Sequence, residues 1–131
     1  MRKAIRYGMA GLMAAMLLAG ASPAMASDDR ERINRGDCST ISDWKLRIRT
    51  DGPNRLDMNY EAGQVAGQTW RVQMSYNDRL VFDGFATTFG PQGEFDVDVE
   101  VANEAGRDVL KGRARNTVTG ETCQGSVAAN F

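Results

Sequence analysis

Few residues in this 131-residue chain could carry chemistry, and the missing types narrow its function early. There is no histidine, so the commonest general base and the commonest metal ligand are both absent. Two cysteines, Cys38 and Cys123, stand 85 positions apart with no CxxC spacing, which argues against a zinc site. The row Asp96, Asp98 and Glu100 carries enough charge for calcium. Alternate residues of a strand sit about 6.5–7 Å apart, however, while calcium gathers oxygens at about 2.3–2.6 Å, so the row reads as a solvated strand face. Paired carboxylates of the glycoside-hydrolase kind need a groove, and nothing in the linear order implies one. The expectation is a non-enzyme with no cofactor and no metal.

Two basic rows of one pattern remain, Lys45-Arg47-Arg49 and Lys111-Arg113-Arg115. If they escape acidic neighbours, they form a patch for an acidic polysaccharide or acidic protein; otherwise they are solvated faces that discourage edge-to-edge pairing. Phe85, Thr87, Thr88 and Phe89 surround the longest link, Ala86 to Gly93. Aromatics there either form a partner-binding tip or cover the end of the core. The candidate partner-binding residues are therefore Phe85, Thr87, Thr88, Phe89, Lys45, Arg47 and Arg49.

The elements that must position these residues begin after a leader. Arg2, Lys3 and Arg6 precede the apolar run Gly8–Ala21, and Ala24-Met25-Ala26 offers small residues before a cut at Ser27. Residues 1–26 are the expected signal peptide, since the run is short of the ~20 residues a membrane span needs. Beyond it stand 13 basic and 17 acidic residues, a net charge of −4, which is a poor match to nucleic acid. Export places Cys38 and Cys123 where disulfides persist, and one intramolecular bridge is expected. Seven of the 11 residues in 27–37 are charged and only Ile33 is apolar, so this segment reads as a flexible polar tether. It contains Arg35-Gly36-Asp37, an integrin-type tripeptide that recurs by chance. Residues 38–131 form the single expected domain.

That domain alternates with period 2, the mark of strands with one buried face. Trp44, Leu46 and Ile48 face in from the first strand, and Leu56, Met58 and Tyr60 from the second, with Asp57, Asn59 and Glu61 outward. Trp70, Val72, Met74 and Tyr76 do so in the third. Asn77-Asp78 suits a tight hairpin, followed by a fourth strand with Leu80 and Phe82 inward. Phe95, Val97, Val99 and Val101 define the fifth strand, Leu110, Gly112 and Ala114 the sixth, and Cys123, Gly125 and Val127 the seventh. The short Asn103–Gly106 link suggests a hairpin that sets Asp96, Asp98 and Glu100 beside Lys111, Arg113 and Arg115; the sequence leaves strand order open. No helical period appears outside the leader. The expected fold is all-β, a seven-stranded antiparallel two-sheet sandwich, with a small β-barrel as the alternative.

Trp70, early in the third of seven strands, gives the pattern a resemblance to immunoglobulin-like and fibronectin type III-like sandwiches. It spans about Asp43 to Asn130 and is a pattern of strands, not a motif. The cysteines depart from antibody domains, whose bridge joins the second and sixth strands. The chain also looks like other small exported bacterial sandwich proteins with one terminal disulfide. The resemblance implies a fold, and function is left to the site.

The functional expectation is a secreted (or periplasmic) non-enzymatic binding module. Its partner is an unidentified protein or polysaccharide, with no nucleic acid and no membrane insertion once the leader is gone, and it acts as a monomer. One alternative is an inhibitor of an extracellular enzyme, presenting the Ala86–Gly93 loop or the Thr117–Gly120 turn. The other is a small hydrolase, which requires a pocket lined by acids.

Overall fold

A computed structural model describes residues 30–131; the expected leader lies outside the described residues. Eight strands follow in order: β1 (Glu31–Asp37), β2 (Asp43–Thr50), β3 (Arg55–Gly63), β4 (Thr69–Tyr76), β5 (Arg79–Thr87), β6 (Glu94–Ala102), β7 (Asp108–Asn116) and β8 (Thr122–Ala129). They form two four-stranded antiparallel sheets, sheet A ordered β1-β2-β3-β6 and sheet B ordered β5-β4-β7-β8. The fold is the two-sheet sandwich that the alternation predicts. Lettering β2 to β8 as A, B, C, C′, E, F and G gives sheets A-B-E and C′-C-F-G, an immunoglobulin-like connectivity with β1 added beyond A.

The core is the inward half of each alternating strand. Leu46, Ile48, Met58, Tyr60, Trp70, Val72, Met74 and Phe95 are among the fully buried side chains. Phe95 sits between two rings, edge-on to Tyr60 at 5.2 Å and tilted against Trp70 at 5.8 Å, separations at which aromatic pairs attract. The Tyr60 hydroxyl donates to the Cys123 carbonyl at 2.9 Å and so ties sheet A to sheet B. Burial pushes its pKa well above the ordinary phenol value. The disulfide joins Cys38, in the β1–β2 link, to Cys123 in β8.

Three expectations need correction. Residues 31–37 of the expected tether are strand β1, paired in register with β2 from Glu31↔Arg49 to Asp37↔Asp43. An edge strand needs main-chain partners and little apolar surface. Here the small residue matters more: a Cβ on Gly36 would lie 2.5 Å from the Trp44 ring, and one on Gly125 of β8 would overlap it. Two glycines thus make room for the indole at the seam between the sheets, and Arg35-Gly36-Asp37 is part of a ladder.

Leu80 faces out, 58% exposed. Asn77 and Asp78 both take positive φ (49° and 66°), as a tight hairpin demands, but the register then slips. Met74 pairs with Phe82 and Ser75 with Leu80, leaving Val81 extra. That bulge reverses the side on which Leu80 points.

The β6–β7 hairpin does not form. β6 pairs with β3 in sheet A, whereas β7 lies between β4 and β8 in sheet B. The Asn103–Gly106 link therefore crosses from one sheet to the other.

Candidate functional site

Four links meet at one end of the sandwich: 38–42, 64–68, 88–93 and 117–121. Each presents one large aliphatic or aromatic side chain to solvent: Ile41 (64%), Val65 (45%), Phe89 (61%) and Val118 (73%). Among the described residues, the links of the opposite end, 51–54, 77–78 and 103–107, expose no large apolar side chain. At the first end, polar side chains fasten the links to one another.

Thr88 is 2% exposed. Its hydroxyl donates to the Val65 carbonyl at 2.6 Å and accepts from the Gln68 N–H at 2.9 Å. Gly63 (φ 133°) and Gly93 (φ 67°) let the same two links pass in contact, since a Cβ on Gly93 would sit 2.5 Å from the Gln64 carbonyl oxygen. Asn116 donates to Gln68 at 2.7 Å, and the Thr117 N–H reaches the Thr69 carbonyl at 2.9 Å.

Glu121 closes the ring. Its carboxylate accepts from the Thr40 N–H (3.1 Å), the Ser42 N–H (2.7 Å) and the Ser42 hydroxyl (2.8 Å). Burial acts to raise its pKa, but the Ser42 and Thr40 hydrogen bonds outweigh burial and hold the carboxyl below the usual range. A depressed folded-state pKa adds stability at neutral pH that is lost as pH falls through it. Glu121→Gln should therefore lose about 1–3 kcal/mol at pH 7. The gap from wild type should narrow as urea midpoints are followed into the acid range, whereas a gap independent of pH would refute this role.

Of the residues singled out in the sequence, Phe89 belongs to this end, Thr87 is exposed beside it, and Thr88 fastens its link instead of facing solvent. Phe89 does not cover the core. Phe85, 65% exposed, lies on the outer face of sheet B, with the Arg71 guanidinium 5.6 Å from its ring centre.

Lys45, Arg47 and Arg49 lie elsewhere, on the outer face of sheet A against acidic strands. Lys45 pairs with Glu61 (3.3 Å) and Arg49 with Asp57 (2.7 Å), while Arg47 is within 4 Å of Glu31, Asp57 and Asp98. Asn59, expected in solvent, is 2% exposed. It sits on the rung between Arg47 and Asp98 and donates to Asp96 and Asp98, so the ionic side chains close over it. This face neutralises itself. Among the described residues, no group of three or more Asp, Glu, His or Cys could hold a metal, and no helix is long and apolar enough to cross a membrane.

No family model matches the chain, and no curated protein matches it. Among solved structures, the crystal structure of a Br derivative of BhCBM56 is similar at a TM-score of 0.38 and 18% identity. The match covers 73% of this chain and 100% of that one. A likeness at this level carries no functional argument, and the fold rests on the strand pairing above. Sequence reasoning missed Ile41 and Val65 and reached Val118 only through the Thr117–Gly120 turn, because single apolar residues in polar links give no periodic signal.

Proposed function

We propose that this chain is an exported, non-enzymatic binding module that takes a protein partner at its four-link end. The observation that carries the reading is the set Ile41, Val65, Phe89 and Val118, one per link, on a frame fastened by Thr88, Asn116 and Glu121. Side chains held in place before contact lose little freedom on binding, and an apolar centre is what protein interfaces bury. The cross-fastened 88–93 link also suits the inhibitor form of the reading, in which Phe89 enters an enzyme's cleft.

The test compares wild type with Phe89→Asp/Val118→Asp as bait for secreted and envelope fractions. Both positions are exposed, so thermal melts should coincide. A protein retained by wild type and lost by the double variant supports the reading; equal capture by both, or none by either, overturns it. Absence of inhibition of secreted proteases and glycosidases at micromolar protein removes the inhibitor form alone.

A further inference from the structure

The outer face of sheet B is built differently from that of sheet A. Three rungs cross its four strands: Phe85-Arg71-Arg115-Thr122, Asp83-Gln73-Arg113-Gln124 and Leu80-Ser75-Lys111-Ser126. Four cations stand here against one carboxylate on the rungs, and Asp83 is already taken by Arg71 at 2.6 Å. Lys111 reaches Asp78 in the β4–β5 turn at 3.4 Å, but both are more than half exposed, so the pair is weak. Among the described residues, no carboxylate comes within 4 Å of Arg113 or Arg115. On sheet A every cation of the Lys45-Arg47-Arg49 row has such a partner.

Edge protection does not account for the bare arginines. β7 is an interior strand, paired on both sides, and charges guard sheets only at their edges. Nor does stability. Arg71 and Arg115 are direct register partners, and like charges opposite one another cost free energy. A local positive field on a chain whose domain is net acidic is a feature that steers anions.

The surface is also hollowed. One depression of about 580 Å³ is lined by Gln73, Ser75, Leu80, Lys111, Arg113 and Gln124 among others. A second of about 510 Å³ is lined by Arg71, Phe85, Arg113, Arg115, Thr117 and Thr122 among others. They adjoin at Gln73 and Arg113, which makes a two-part trough along β4 and β7.

We infer that this trough binds an anionic polysaccharide, on a surface separate from the four-link end. Guanidinium groups pair with carboxylate or sulfate through two parallel hydrogen bonds. Between the cations stand neutral hydrogen-bonding side chains: Gln73 and Gln124 flank Arg113, and Ser75 and Ser126 flank Lys111. That alternation fits a polymer carrying both charges and hydroxyls better than it fits a polyphosphate. Nucleic acid would also want several stacking rings, and Phe85 is the one aromatic on the rungs.

Native electrophoresis in gels containing polygalacturonate, dextran sulfate or neutral dextran tests the proposal. The wild-type chain should be retarded by at least one polyanion and not by dextran, and the stronger of the two identifies carboxylate or sulfate as the preferred group. Arg113→Gln/Arg115→Gln should weaken retardation about tenfold or more, with an unchanged melting temperature. Lys45→Gln/Arg49→Gln, on sheet A, should leave it unchanged. Phe89→Asp/Val118→Asp should also leave it unchanged, which keeps this test separate from that of the four-link end. No retardation by either polyanion, equal loss in the sheet A variant, or tighter binding of a single-stranded oligonucleotide than of both polysaccharides would overturn the proposal.

Discussion

Truncating Trp70 to alanine is expected to lower the unfolding free energy by about 3–5 kcal/mol. The indole is fully buried on β4, an interior strand of sheet B, and packs against Phe95, which in turn meets Tyr60 of sheet A. Removing it opens a cavity at the point where the sheets interlock, and the strands beside β4 are held by ladders that cannot collapse into the space. The indole N–H has no hydrogen-bond partner, so alanine breaks no hydrogen bond and the loss is one of packing, offset in part by removal of the unpaired donor. A control follows from that orphan donor. Trp70→Phe returns most of the ring and deletes a buried unpaired N–H that costs about 1–3 kcal/mol, so it should be far milder than alanine. Urea unfolding at neutral pH measures both. A loss under about 1 kcal/mol for alanine, or equal losses for alanine and phenylalanine, would show that the ring is not central to the core.

Strands β2 to β4 and β6 to β8 are legible in the sequence because each buries one face, while β5, with no fully buried residue, shows itself mainly through the Asn77-Asp78 turn before it. Trp44-Leu46-Ile48 and Phe95-Val97-Val99-Val101 keep the period-2 signal over their whole length. β1 is not legible, because ERINRGD buries little. Its stability comes from main-chain pairing with β2 and from Gly36 lying against Trp44, and neither leaves a hydrophobic pattern. Leu80 misleads for a related reason: alternation is counted along one strand, while the bulge at Val81 is a property of the pair.

The two basic rows show most directly where sequence reasoning stops. Lys45-Leu46-Arg47-Ile48-Arg49 and Lys111-Gly112-Arg113-Ala114-Arg115 have the same charge pattern. What separates them is which strand lies alongside. β2 lies beside β3, which supplies Asp57 and Glu61, whereas β7 lies between β4 and β8, which offer Gln73, Ser75, Gln124 and Ser126. The row first named for partner binding is the neutralised one, and strand order, a long-range property, decides the matter. The four-link end is hidden in the same way, since Ile41, Val65, Phe89 and Val118 are scattered along the chain and meet only in the fold.

Replacing both cysteines with serine should cost up to about 4–5 kcal/mol, the loop-closure entropy of 85 residues released to the unfolded chain. The bridge encloses β2 to β7 and fastens β8, an edge strand, to the link leading into sheet A. Other ties span the same seam: the Ser39 N–H to the Thr122 carbonyl at 2.8 Å, the Thr122 N–H to the Ser39 hydroxyl at 2.9 Å, and Asn34 to the Ser126 carbonyl at 2.8 Å. These act only in the folded state, so they keep β8 in place without the sulfur and leave the entropic part as the main loss. The double variant should therefore fold to the same sandwich, with β-sheet circular dichroism retained and its urea midpoint lowered. Most of the change should appear in the unfolded chain, so the urea m-value should rise as the released chain exposes more surface. A midpoint shift equivalent to under about 1 kcal/mol would contradict the entropic account, and loss of sheet structure in the absence of urea would show that the seam depends on the bridge itself.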